Sequence, residues 1–214
     1  VKNCPEKYQR KINKVGHILR EDIINFKTSV ENNYFSILVL GGSQGAKIFG
    51  TIIPEAIQRM DEINLKVKIY HQCTKDQKEL LINFYEKNKI DNVVFEFNEN
   101  IIQYLSIADL AICRCGASTA AELVYLQKPF IAVPYPHALD NHQFLNAKYY
   151  EDKGYCWTLE QNNFNAETLS NLIKKIIKDK DVLNKTKKNM KKINKYYTSE
   201  NIENIINGLI KNEN

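Results

Sequence analysis

The sequence predicts an α/β fold, a doubly wound parallel sheet with helices on both faces, and three observations carry that expectation. Five or six short apolar runs alternate with helical patterns of ten or more residues, the signature of βαβ units. Two of the runs end in turns of small residues that open a helix, Gly41-Gly42-Ser43-Gln44-Gly45-Ala46 and Cys113-Arg114-Cys115-Gly116-Ala117-Ser118-Thr119-Ala120-Ala121-Glu122. A chain of 214 residues, 43% hydrophobic, is long enough for one sizeable core. A sheet of this Rossmann-like kind takes its ligand beyond the carboxyl ends of its strands, where strand order reverses. In the common order the first and fourth strands flank that point, and these carry the two turns.

Residues 1–35 are polar and mixed, enclose Val15-Gly16-His17-Ile18-Leu19-Arg20, and read as a lead-in or linker; residues 36–214 read as the domain. Residues 36–40 form the first strand, and Ile48, Ile52, Ile53, Ala56 and Ile57 then recur at helical spacing. The spacing predicts strands over 66–71, 92–97, 109–113 and 129–133, with a short sixth over 155–158. Helices are expected over 76–87, 100–107, from the second turn to Gln127, over 140–152 and over 166–177, with a Lys-rich helical remainder.

Charge is uneven. The net +5 comes from both ends, 7 basic against 4 acidic residues over 1–35 and 11 against 5 over 174–214. The Lys-rich tail is either a solvated helix face or a surface for anionic lipid headgroups. No basic patch interleaved with aromatics points to nucleic acid. No run approaches the 18 or so apolar residues of a membrane span, and no secretory segment is seen, so a soluble, cytoplasmic chain is expected. The sequence opens on Val1 rather than Met, and we expect a piece of a longer protein. Cys4, Cys73, Cys113, Cys115 and Cys156 are scattered without a C-x-x-C pair and read as reduced thiols; His17, His71, His137 and His142 lack metal spacing. No metal and no cofactor are expected, and no catalytic residue is assigned.

The first turn matches neither common nucleotide fingerprint. A dinucleotide turn needs glycine where Ser43 and Ala46 stand, and a P-loop needs Lys followed by Ser or Thr where the chain has Ala46-Lys47-Ile48. What remains is either a cradle for one phosphate, from the Gln44 and Gly45 N–H groups and the Ser43 hydroxyl, or a tight turn needing glycine only for its backbone. Glu122 follows Thr119 by three residues, so it reads equally as a capping box or as a carboxylate accepting from the vicinal hydroxyls of a ribose. Gln143 and Asn146, at i and i+3, put two amides on one helix face, which suits sugar hydroxyls, while Asp140 with Gln143 also has cap spacing.

Taken together, Gly41 to Ala46, Cys113 to Glu122 and the stretch Asp140-Asn141-His142-Gln143-Phe144-Leu145-Asn146-Ala147 resemble, in order and spacing, the donor-binding half of the MurG family. That family is the UDP-N-acetylglucosamine (UDP-GlcNAc) transferase that makes lipid II on the cytoplasmic face of the bacterial membrane. The match runs from about residue 15 to the last helices. The resemblance implies the C-terminal domain of a GT-B glycosyltransferase with extra C-terminal helices, metal-independent and inverting, moving GlcNAc from UDP to the C4 hydroxyl of the MurNAc of lipid I. By position it implies that Ser43, beside Gln44, contacts the diphosphate, as does the helix start at Ala117, Ser118 and Thr119, with Ala120 and Ala121 in the same site. It further implies that Glu122 holds the ribose, the backbone at Asn98 reads the uracil edge, Gln143 and Asn146 hold the GlcNAc hydroxyls, and Arg20 approaches the phosphates. Two departures accompany it. This chain has His17-Ile18 where the family has Asn-Pro, and none of its histidines matches the base of the family's N-terminal half, which also carries the acceptor site and the membrane-contacting surface. Two other readings stay open: a soluble subunit of a split transferase with a separate membrane partner, and a non-catalytic nucleotide-sugar-binding module.

Overall fold

The computed structural model describes residues 5–9, 11–12, 15–26, 33–42, 45–60, 65–98, 100–191 and 199–211. Two short helices, α1 (Glu6–Gln9) and α2 (Glu21–Ile24), precede β1 (Phe35–Leu40). There follow α3 (Lys47–Gln58), β2 (Val67–Gln72), α4 (Lys75–Lys87), β3 (Asp91–Phe95), α5 (Ile102–Ile107), β4 (Leu110–Cys113), α6 (Ala117–Tyr125), β5 (Phe130–Ala132), α7 (His142–Asp152), β6 (Cys156–Thr158), α8 (Ala166–Lys178), α9 (Lys180–Met190) and α10 (Ser199–Lys211). The six strands make one parallel sheet in the order β3-β2-β1-β4-β5-β6. The doubly wound expectation holds, with the reversal between β1 and β4.

Alternation along the strands builds two cores. On β1, Leu38 and Leu40 face one layer with Ala111, Cys113, Phe130 and Ala132, while Ile37 and Val39 face the other with Leu110, Ile112 and Ile131. The first layer is closed by Leu105 of α5, Leu123 of α6 and Tyr150 of α7, the second by Phe49 and Ile53 of α3, Leu81 of α4 and Ile173 of α8. A central strand buried on both faces reads as an unbroken apolar run, which is why β1 and β4 stand out in the sequence. Leu19 and Ile23 enter the first core, so part of the stretch read as lead-in packs against the domain, and the Tyr125 hydroxyl donates to Ile24 O at 3.3 Å.

Some boundaries differ. β3 stops at Phe95, because Glu96 turns out to Lys78 and Phe97 is exposed. The helix expected from Asp140 begins at His142, after a 3-10 turn over Leu139–Asn141 in which Asp140 and Asn141 take φ of 50° and 54°. Cys73, Cys113, Cys115 and Cys156 are free and buried; Cys4 lies outside the described residues. Among the described residues no helix is long and apolar enough to cross a membrane.

His71 of β2 is fully buried, with Nδ1 2.8 Å from the Tyr85 hydroxyl and Nε2 without a partner among the described residues. Burial pushes its pKa down to about 3. An unfolded imidazole takes a proton below roughly pH 6.5 while the folded one does not, so the stability this residue supports is full above that pH and is lost as pH falls toward 3. Melting temperature is therefore expected to drop across this window, and to drop less steeply for His71→Leu. Identical slopes for the two proteins reject the assignment.

Candidate functional site

β1 and β4 pair from Ile37 with Leu110 to Leu40 with Cys113, so the two strands end level and their turns leave the sheet side by side. The Arg114 N–H still donates to Leu40 O at 3.3 Å. Between the turns opens a cleft of about 840 Å³. It is lined by Gly41, Gly42, Gly45, Ala46, Lys47 and Ile48 on one side, Arg114, Gly116, Ala117, Ser118 and Thr119 on the other, and Tyr135, Gln143 and Gln161 beyond.

In the first turn Gly42 and Gly45 have φ of 81° and 67°, a region that strains any other residue. A Cβ at Gly45 would also collide with the Thr74 methyl. The Gly45 N–H, expected as a phosphate donor, donates instead to Gly42 O at 3.1 Å and closes the turn. Ser43 and Gln44 lie outside the described residues. What this side offers an anion is the first turn of α3, which no described side chain caps.

α6 is likewise uncapped at Gly116, and its first intrahelical bond runs from Ala120 N–H to Gly116 O. The N–H groups of Ala117, Ser118 and Thr119 come before that bond, at the positive end of the helix dipole. The capping box between Thr119 and Glu122 does not form, since Thr119 is already the third residue of the helix. Ala120 and Ala121 are fully buried in the core, where small side chains let α6 pack against the sheet, and neither is among the residues that line the cleft.

Glu122 sits one turn deeper and accepts from Arg20 Nε at 3.2 Å, while Arg20 Nη1 lies 3.6 Å from Asp22. Here Arg20 pairs with the carboxylate rather than lying among the residues that line the cleft. Burial raises the Glu122 pKa, and the neighbouring Arg20 guanidinium pulls it back. His17 Nε2 is 3.3 Å from Ser118 Oγ, so residues 17–20 lie along the start of α6.

Gln143 and Asn146 are fixed through one end of each amide. Gln143 Oε1 accepts from Tyr135 N–H at 3.0 Å, and Asn146 Nδ2 donates to Cys115 O at 3.1 Å. The cap between Asp140 and Gln143 does not form, because the N-cap of α7 is Asn141, not Asp140, and it makes no side-chain cap. Asn98 follows β3, two strands from β1; its side chain accepts from Asn100 N–H at 2.8 Å, and it does not line the cleft.

Sequence reasoning missed Arg114, Lys47, Tyr135 and Gln161. The Arg114 guanidinium donates to Val133 O at 3.1 Å, Pro134 O at 3.2 Å and Gln161 Oε1 at 2.7 Å, between the rings of Phe49 and Tyr135. The available signal was an arginine placed between two cysteines at the end of a buried strand. Among the described lining residues Arg114 and Lys47 are cations and none is a carboxylate. Among the described residues, two uncapped helix starts and two cations without an acid in the lining select an anionic ligand.

Comparison with known proteins gives a consistent picture. The model of the glycosyltransferase family 28 C-terminal domain matches residues 36–202. The chain is 38% identical over 205 residues to the UDP-N-acetylglucosamine--N-acetylmuramyl-(pentapeptide) pyrophosphoryl-undecaprenol N-acetylglucosamine transferase of Pelagibacter ubique, covering 94% of this chain and 57% of that protein. Its identity to the protein of the same name from Rickettsia felis is 40% over 203 residues, 90% of this chain and 56% of the relative. The chain thus spans just over half the length of these relatives. The crystal structure of Acinetobacter baumannii MurG is similar with a TM-score of 0.68 at 29% identity, over 77% of this chain and 47% of that one. The spinosyn rhamnosyltransferase SpnG shares the fold, with a TM-score of 0.66 at 14% identity over 95% of this chain and 55% of its own.

Proposed function

The chain belongs to the glycosyltransferase family 28 C-terminal domain family, and from that premise we propose that it is the donor-binding half of a MurG-type transferase. Its ligand is UDP-GlcNAc. The diphosphate lies across the cleft between the starts of α3 and α6, with Ser43 and Gln44 in the first turn and Ala117, Ser118 and Thr119 in the second. Glu122 takes the ribose hydroxyls, Gln143 Nε2 and Asn146 Oδ1 the GlcNAc hydroxyls, Asn98 the uracil, and Arg20 moves from Glu122 toward the phosphates. The observation that carries this reading is the meeting of two helix starts, uncapped among the described residues, across a cleft whose described lining holds no carboxylate, at the point where strand order reverses.

Transfer of GlcNAc to lipid I at the inner face of the cell membrane is proposed for the whole enzyme, with the acceptor site and the base supplied by a further N-terminal half. The domain proposed here starts at about residue 36, with residues 1–35 as the lead-in, and the Lys-rich helices lie toward anionic lipid.

Isothermal titration tests the donor reading. UDP-GlcNAc and UDP are expected to bind this chain at least about tenfold more tightly than uridine, because the helix starts act on the phosphates. No measurable heat with UDP-GlcNAc at millimolar concentration overturns the proposal.

A further inference from the structure

His17 stands beside the cleft without a role in the donor reading given above. Its half-buried ring holds Nε2 at 3.3 Å from the hydroxyl of Ser118, which lines the cleft on the first turn of α6. Among the described residues the charged groups around it are Glu122 on α6 and Arg20 and Asp22 on the lead-in; residues 13 and 14 lie outside them. With a neutral imidazole the described members of this group set one cation against two carboxylates, an excess of negative charge beside the seat meant for a diphosphate. A protonated ring removes the excess and makes Nε2 a donor whichever tautomer it came from, one contact from any oxygen that hydrogen-bonds Ser118.

We propose that His17 is a further ligand-binding residue of this site, which donates to the phosphate side of a nucleoside diphosphate sugar seated on α6 and makes its affinity depend on pH. The inference rests on the donor reading. It differs from the roles of Arg20 and Glu122, because an imidazole gains and loses its proton in the range where enzymes work and a guanidinium does not.

The test is titration calorimetry of this chain with UDP-GlcNAc at pH 6 and pH 8, using uridine as a neutral control. UDP-GlcNAc carries its diphosphate as a diester, so its charge is constant over that range. Affinity for UDP-GlcNAc is expected to rise about fivefold to tenfold from pH 8 to pH 6, the size of one added charge near the protein surface, while uridine binding stays level. His17→Gln keeps an amide donor near the place of Nε2 without a titrating charge and is expected to bind with a flat profile. His17→Ala is expected to lose about tenfold at pH 6, and melting curves show whether either variant is folded. A folded His17→Gln protein that keeps the wild-type slope, with His17→Ala at wild-type affinity, overturns the role of His17 and leaves the donor reading standing. Wild type that binds no UDP-GlcNAc at either pH removes both.

Discussion

Replacing Glu122 by alanine is expected to weaken UDP-GlcNAc binding about tenfold to a hundredfold, ~1 to 3 kcal/mol, with little change in melting temperature. The two halves of this expectation come from separate facts. The carboxylate lies about one turn into α6 and is mostly shielded from solvent, so hydrogen bonds from ribose hydroxyls to it are charge-assisted and poorly replaced by water. Its contribution to the fold is small. It caps nothing, and its ion pair with Arg20 involves an arginine side chain 44% exposed, the kind of pair worth about 0 to 1 kcal/mol. Glu122→Gln keeps one acceptor of the same reach and is expected to fall between wild type and alanine. Calorimetry with thermal melting of the same samples decides the matter. Wild-type affinity with a melting temperature several degrees lower would make Glu122 a purely structural residue.

Much of the fold was legible because burial on both faces leaves an unbroken apolar run, as in Ile37, Leu38 and Val39 of β1, and because glycine marks places where only glycine fits. Gly42 and Gly45 stand at positive φ, and the strand that precedes them is the middle of the sheet. Less legible were features set by contacts between distant residues. Spacing alone left Thr119 and Glu122 open as a capping box; only the position of Gly116 at the start of α6 shows that the helix begins too early for it. Ala120 and Ala121 belonged to the same small-residue stretch as Ser118, yet the turn of the helix carries them into the core. Arg114 escaped because its meaning lies in Val133, Pro134 and Gln161, residues 19 to 47 positions away that meet only when β4, β5 and the turn after β6 come together.

Arg114→Met is expected to be the most damaging single change in the cleft, lowering stability by ~2 to 4 kcal/mol and abolishing measurable UDP-GlcNAc binding. The guanidinium holds two backbone carbonyls at the exit of β5 and the amide of Gln161, all neutral acceptors, and burial lowers its pKa. Methionine fills much of the volume but leaves Val133 O, Pro134 O and Gln161 Oε1 without this donor and removes a positive charge from the lining of an anion site. Arg114→Lys separates the two contributions. Lysine keeps the charge yet cannot span three acceptors with one planar fork, nor stack between Phe49 and Tyr135 as a guanidinium does. If the fork sets the cleft wall, lysine recovers little stability, and affinity stays well below wild type because Tyr135 and Gln161 are no longer held in place. Urea unfolding and calorimetry on the three proteins measure both quantities. A lysine variant equal to wild type in affinity and stability would reduce Arg114 to a point charge, and the wall of the cleft would then have to be held by Gln143 through its bond to the Tyr135 N–H.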